Sequence, residues 1–306
     1  MPDLRGWIRA DFGLDVTELT QVHHGADAAA EVWRADQYAV KWSSGGTTAS
    51  YEVTAYLAEV GVRGVPAPLR TQAGDLWSER AGKRLSLTPW IDGARAAATG
   101  LTQAQWTAYG VLLAEVHAQE VPARLQQLLP PLNSANARMP ALTRQLDHRL
   151  TTQPPADAVE AELAKTWLAH RELITALAEP RTPPPGRPVI CHADPHLGNV
   201  LVTPDQLHLI DWDDAVLAPI EQDLLFLLGG MGTLGPTTPA DEAAFFTGYG
   251  PADLDATRLT YYRAARALED AALWAEQALT GPDREASLGH FQAVLSPNGL
   301  AVLAVG

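Results

Sequence analysis

The chain has 306 residues, 46% of them hydrophobic and 19% charged, a composition that supports a sizeable core in about two domains and excludes a disordered chain. Its 22 basic residues against 36 acidic ones leave a net charge of −14, which argues against a nucleic-acid or membrane-surface partner. The one cysteine, Cys191, excludes an internal disulfide and suits a reducing, cytoplasmic setting. Met1 to Ala10 lacks the apolar stretch of a signal peptide, and no apolar run is long enough to cross a bilayer.

In chain order, Glu31–Ala35 and Gln37–Trp42 read as short strands joined at Asp36. Val53, Tyr56, Leu57 and Val60 follow at helical spacing, and Gly61 ends that helix. Val65-Pro66-Ala67-Pro68 enforces extended chain. Leu69–Arg80 and Leu85–Trp90 read as further strands, so residues 1–91 form a small antiparallel sheet carrying one helix. After Asp92-Gly93 the pattern turns helical. Thr102–Gln119 is a long amphipathic helix with Thr102 as N-cap, and Ala156–Ala178 is another. Leu129–Pro140 and Pro180–Pro188 are Pro-rich loops. Short strands at Val189–His192, Asn199–Val202 and Leu207–Ile210 precede helices at Glu221–Leu228, Asp241–Tyr249 and Asp253–Leu279. A β-rich front, residues 1–91, and a larger helical back, residues 92–306, make an α+β, two-lobed architecture.

The chemistry concentrates in Cys191-His192-Ala193-Asp194-Pro195-His196-Leu197-Gly198-Asn199 and in Ile210-Asp211-Trp212-Asp213. Asp194, Asn199 and Asp211 fall at the ends of neighbouring short strands. Two carboxylates and an amide suit phosphoryl transfer: oxygen ligands hold Mg²⁺ against nucleotide phosphates, and a separate carboxylate accepts the proton of the attacking hydroxyl. His192-x-Asp194-x-His196 is also open to a second reading, the metal-ligand cluster of a hydrolase, because alternate residues of an extended segment point to one side. A nucleotide-binding module without catalysis is a third.

His192-x-Asp194-x-x-x-x-Asn199 with Ile210-Asp211-Trp212 resembles the aminoglycoside phosphotransferase family of small-molecule kinases. The segment from Asp211 to Leu224, with Leu217-Ala218-Pro219, is similar to the spectinomycin-phosphotransferase branch. The resemblance implies a protein-kinase-like fold, small β-rich N-lobe and large helical C-lobe, with ATP and Mg²⁺ between them. It implies that Asp194 is the base, that Asn199 and Asp211 hold Mg²⁺, and that His192 braces the loop. His196 occupies the place of a residue facing the transferred phosphate. Lys41, ending a strand, would reach the α- and β-phosphates, with Glu52 orienting it. The loop from Gly25 through Asp27 to Ala30 would cover the phosphates; it has one glycine where protein kinases have three. Leu87–Ile91, with Pro89, Trp90 and Ile91, would be the hinge that meets adenine.

The acceptor implied is an aminocyclitol or aminoglycoside; a sugar, amino alcohol or nucleoside is the alternative. Residues 204–306 hold 15 acidic residues and four arginines, a net −11, and a cleft with that surplus would attract a cationic ligand. Asp213, Trp212, Glu269 and Asp270 are the candidate acceptor contacts. Gln222, where a basic residue is expected, and Ala264-Ala265, in place of larger residues, depart from the family pattern; these departures leave the phosphate chemistry alone and bear on the identity of the acceptor.

Overall fold

The computed structural model describes residues 3–22, 30–44, 47–129, 138–229 and 237–305. Leu4–Phe12 forms a helix that the sequence reading leaves unassigned. The Asp3 carboxylate caps it by accepting from the Gly6 N–H at 2.8 Å, and Gly13 closes it in the left-handed region at φ 69°. Its buried face, Leu4, Trp7, Ile8 and Phe12, packs against Trp33, Ala35, Val40, Leu85 and Leu87.

Those partners come from a five-stranded antiparallel sheet of β1 (Leu19–Val22), β2 (Ala30–Ala35), β3 (Tyr38–Ser43), β4 (Ser78–Arg80) and β5 (Lys83–Pro89), ordered β1-β2-β3-β5-β4. Asp36 takes the β2–β3 turn at φ 50°, and its carboxylate accepts from the N–H groups of Thr17 and Glu18. The expected strand Leu69–Arg80 contracts to β4, because Thr71 to Gly74 folds into a turn closed by Gly74 N–H to Thr71 O at 2.9 Å. The β4–β5 hairpin turns on Ala81 and Gly82, both at positive φ, the geometry of a two-residue turn that matches strand twist. Side chains alternate along a strand, so Val40 and Trp42 face the core while Lys41 points to the other side. The helix Ala49–Glu59 buries Val53 and Leu57 but leaves Val60 exposed.

Five more short strands follow: β6 (Ala94–Arg95), β7 (Val189–Cys191), β8 (Val200–Val202), β9 (Leu207–Leu209) and β10 (Val216–Ala218). β6, β8 and β9 make one antiparallel sheet; β7 and β10 make another. The chain divides into two compact units, Met1–Leu129 with His192–Ala215, and Pro130–Cys191 with Val216–Gly306. The first holds the five-stranded sheet, the sheet β6-β8-β9 and the helix Gln103–His117, whose N-terminus carries the reciprocal Thr102–Gln105 capping box. Gly64, at φ 89°, lets its carbonyl accept from Leu209 N–H at 2.8 Å; a Cβ there would lie 2.5 Å from the Leu207 carbonyl oxygen.

The second unit is helical. Its long helix Ala256–Thr280 buries Ala264, Ala267, Ala271, Ala272, Ala275 and Ala278, small side chains that let neighbouring helices approach. The single helix expected over Ala156–Ala178 is two, Ala158–Ala169 and Arg171–Leu177, broken at His170. Part of the expected loop Leu129–Pro140 is helical: Met139–Thr152 begins there, with Pro140 in the first turn, where its missing N–H costs nothing. Asp147 joins these three helices by accepting from Arg171 at 2.7 and 2.8 Å and from the Trp167 indole at 3.1 Å. Among the described residues no helix is long and apolar enough to cross a membrane.

Candidate active site

His192 follows β7 and is fully buried. Its Nδ1 accepts the Asp194 N–H at 3.2 Å, and its Nε2 lies 2.8 Å from the Ile210 carbonyl oxygen. One nitrogen accepts and the other faces an acceptor, so the bond pattern assigns the proton to Nε2. Both nitrogens are occupied by backbone, which removes His192 from any ligand set and overturns the hydrolase reading of His192-x-Asp194-x-His196.

The peptide between these anchors is strained. Ala193 sits at φ 68°, a region that costs a residue with a Cβ about 1–2 kcal/mol. Asp194 is fixed from its own loop: the Asn199 amide nitrogen donates to its carbonyl at 2.9 Å and to its Oδ2 at 3.2 Å. His196 Nε2 lies 3.3 Å from the same Oδ2, while its Nδ1 accepts the Gly198 N–H at 2.9 Å. That second bond leaves Nε2 as the protonated nitrogen facing the carboxylate. His196, expected to face the transferred phosphate, is therefore turned onto Asp194.

Two residues unmarked by any local motif brace the loop. The Tyr109 hydroxyl donates to the Pro195 carbonyl, and Arg95 donates to that of Gly198. Ile210 N–H donates to the Asn199 carbonyl at 2.9 Å, so the loop and the segment carrying Asp211 are one hydrogen-bonded piece. Asp211 itself takes φ 65°, a conformation that aspartate tolerates better than most residues.

Trp212 turns inward. It is buried, its indole N–H donates to the Leu209 carbonyl at 2.9 Å, and its ring packs 4.7 Å from that of His192. It is a packing residue, which corrects its placing among the acceptor contacts. Asp270 needs a similar correction: it is buried and accepts from Arg266 Nε at 2.8 Å, so its charge is already offset within the helix Ala256–Thr280. Glu269 on the same helix is half-buried.

Lys41 Nζ bonds the Asp213 carboxylate and lies 3.6 Å from Asp211 Oδ1. Burial works to lower the ammonium's pKa, but Asp213 and Asp211 outweigh it and hold it above its ordinary value. The expected Lys41–Glu52 pair is replaced. Glu52 lies 3.9 Å from Arg124, which also pairs with Glu59 at 3.3 Å, so a guanidinium 72 positions away in sequence draws Glu52 off.

At the hinge, β5 ends at Pro89, and Trp90 N–H donates to the Gln37 carbonyl at 2.8 Å. Arg34 stacks on the Trp90 ring at 4.9 Å and pairs with Asp92 through both terminal nitrogens at 3.3 Å. Gly25 and Asp27 lie outside the described residues. Cys191 is a core thiol: burial, then the Asp223 carboxylate, push its pKa well above the ordinary value.

The donor set fits a small hard cation. Asp211 is half-exposed and offers carboxylate oxygens, and Asn199, with its nitrogen committed to Asp194, has its amide oxygen to offer.

Residues 18–285 match the phosphotransferase enzyme family, APH. Protein StrN of Streptomyces griseus is 30% identical over 246 residues, 70% of this chain and 76% of the relative. Spectinomycin phosphotransferase APH(9)-Ia, crystallised with ADP and spectinomycin, superposes with a TM-score of 0.87 at 26% identity over 98% of this chain and 96% of that one. Amicoumacin kinase hAmiN, solved with AMP-PNP and Ca²⁺, shares the fold at a TM-score of 0.62 and 16% identity, covering 97% of this chain and 94% of its own. The fold is thus the kinase-like one expected from the sequence.

Proposed function

Because the chain belongs to the phosphotransferase enzyme family and is an ATP-dependent small-molecule phosphotransferase, we propose that its acceptor is a hydroxyl of a cationic aminocyclitol or aminoglycoside antibiotic of the spectinomycin type. The observation that carries this reading is the whole-chain likeness to a spectinomycin-bound enzyme. The acidic surplus of residues 204–306 supports a cationic acceptor.

In this reading residues 1–91 bind nucleotide and residues 92–306 carry the catalytic loop, the cation site and the acceptor site. Pro89 has no N–H and that of Trp90 is spent on Gln37, so Ile91 is left to donate to adenine. Lys41 contacts phosphate oxygens. Asn199 and Asp211 would hold Mg²⁺, which when bound offsets charge on the β- and γ-phosphate oxygens. Asp194, its Oδ2 held by Asn199 and His196, aligns the acceptor hydroxyl and takes its proton as the oxygen attacks the γ-phosphorus, while the bond from that phosphorus to the β,γ-bridging oxygen breaks and ADP leaves with its electron pair. The enzyme would work in the cytoplasm, in line with its lone buried thiol.

An ATP-coupled assay against aminocyclitols, aminoglycosides, sugars, amino alcohols and nucleosides tests the acceptor. The highest kcat/KM is expected for a spectinomycin-like compound. A sugar, amino alcohol or nucleoside phosphorylated efficiently, with every aminocyclitol inert, overturns the assignment.

A further inference from the structure

We propose that Asp213, and not Glu52, is the residue that positions Lys41 for the nucleotide phosphates; the inference rests on the phosphotransferase reading above. Three observations carry it. The Lys41 ammonium bonds the Asp213 carboxylate directly, with Asp211 Oδ1 3.6 Å away. Trp212 between them is buried, so Asp211 and Asp213 stand on the same side of the chain and converge on one cation. Glu52 is held elsewhere, in a chain of ion pairs that runs from Glu52 to Arg124, from Arg124 to Glu59 and from Glu59 to Arg70.

An ammonium on a four-carbon stem has three N–H donors and loses much rotamer freedom when it is held in one place. Asp213 takes up one of those donors, and with the Asp211 charge 3.6 Å away it fixes the stem. The remaining donors can then meet phosphate oxygens without the side chain having to search for them. The aspartate two positions after Asp211 thereby does the work that spacing alone would give to the helix Ala49–Glu59.

A double-mutant cycle on the full chain tests this, with Asp213→Asn, Lys41→Met, their combination, Asp213→Glu and Glu52→Gln. kcat and the Kd for ADP in EDTA are the readouts, and thermal melts confirm folding. Asp213→Asn is expected to lower kcat by on the order of tenfold, the size of one charge-assisted contact, and to weaken metal-free ADP binding. In the Lys41→Met background the same change should alter neither quantity by more than about twofold. Asp213→Glu, which keeps the carboxylate, should retain more activity than Asp213→Asn, and Glu52→Gln should cost less than Asp213→Asn. Losses that multiply in the double variant, tighter ADP binding, or a larger loss from Glu52→Gln overturn the inference. Wild-type protein that phosphorylates no acceptor sinks the functional reading instead; active wild type with multiplying losses sinks this inference alone.

Discussion

Asn199 and Asp194 are a single unit: the amide nitrogen of one bridges the carbonyl and the carboxylate of the other, at 2.9 and 3.2 Å. The residue expected to hold a cation through its oxygen also fixes the proposed base through its nitrogen. Asn199→Asp keeps an oxygen ligand but sets a second carboxylate against Asp194 Oδ2. We expect it to retain less than about a tenth of wild-type kcat even at saturating Mg²⁺, because alignment of the base is lost. Full recovery by added Mg²⁺ would show that Asn199 acts through the cation alone.

Asp194→Asn should abolish most turnover, about a hundredfold or more, while nucleotide binding changes little. The two properties separate because the Lys41 contacts to Asp211 and Asp213 do not involve Asp194. Calorimetry with ADP and steady-state kinetics on one preparation check this; kcat above about a tenth of wild type would falsify the role of the base.

His192→Ala should act on stability first. It removes two buried hydrogen bonds, to Asp194 N–H and to the Ile210 carbonyl, and the Trp212 ring loses its neighbour. A loss of about 2–4 kcal/mol in urea unfolding is expected. An unchanged midpoint would mean that the loop does not depend on this histidine.

Much of this site is legible in the sequence, because it is local. The spacing from His192 to Asn199 and the Ile210-Asp211-Trp212 triplet define the loop, and the structure closes it by bonds within and between those two segments. What escapes is non-local. Nothing near Glu52 announces Arg124, and nothing near Pro195 announces Tyr109. The N-terminal helix, by contrast, carries readable signals: Asp3 as cap, Leu4, Trp7, Ile8 and Phe12 on one face, and Gly13 as stop. The break at His170 has no glycine or proline to mark it, so Ala156–Ala178 reads as continuous.

Asp147 gives a pH-dependent prediction. The Arg171 hydrogen bond, opposed by burial and aided by the Trp167 indole, holds its pKa below the ordinary 3.8. A lowered carboxylate pKa contributes stability that is present above the unfolded-state value and is lost as pH falls through the folded one. Asp147→Asn should therefore destabilise the protein at neutral pH by about 1–2 kcal/mol. The gap from wild type should close below pH 3.8, measured by urea unfolding across that range. A gap that persists in acid would assign the loss to packing.

Asp270→Asn should reduce stability more than it alters acceptor KM, because its carboxylate is spent on Arg266. Acceptor KM should still rise with ionic strength if the acidic surplus of residues 204–306 draws in a cation. The comparison spans low salt to about 0.15 M, where the Debye length is about 8 Å. A salt-independent KM would mean that this surplus does not steer the acceptor.

The one cysteine has a practical consequence. Cys191 ends β7, paired there with Val216 of β10 and buried, with its sulfur 3.4 Å from the Ala218 carbonyl oxygen and its thiol held in the protonated, unreactive form. Maleimide dyes should pass the folded wild-type chain by, so it serves as its own unlabelled background. A single cysteine introduced at an exposed site such as Leu168 would then carry a fluorophore alone, and its emission could be followed through a catalytic cycle without first removing the native thiol.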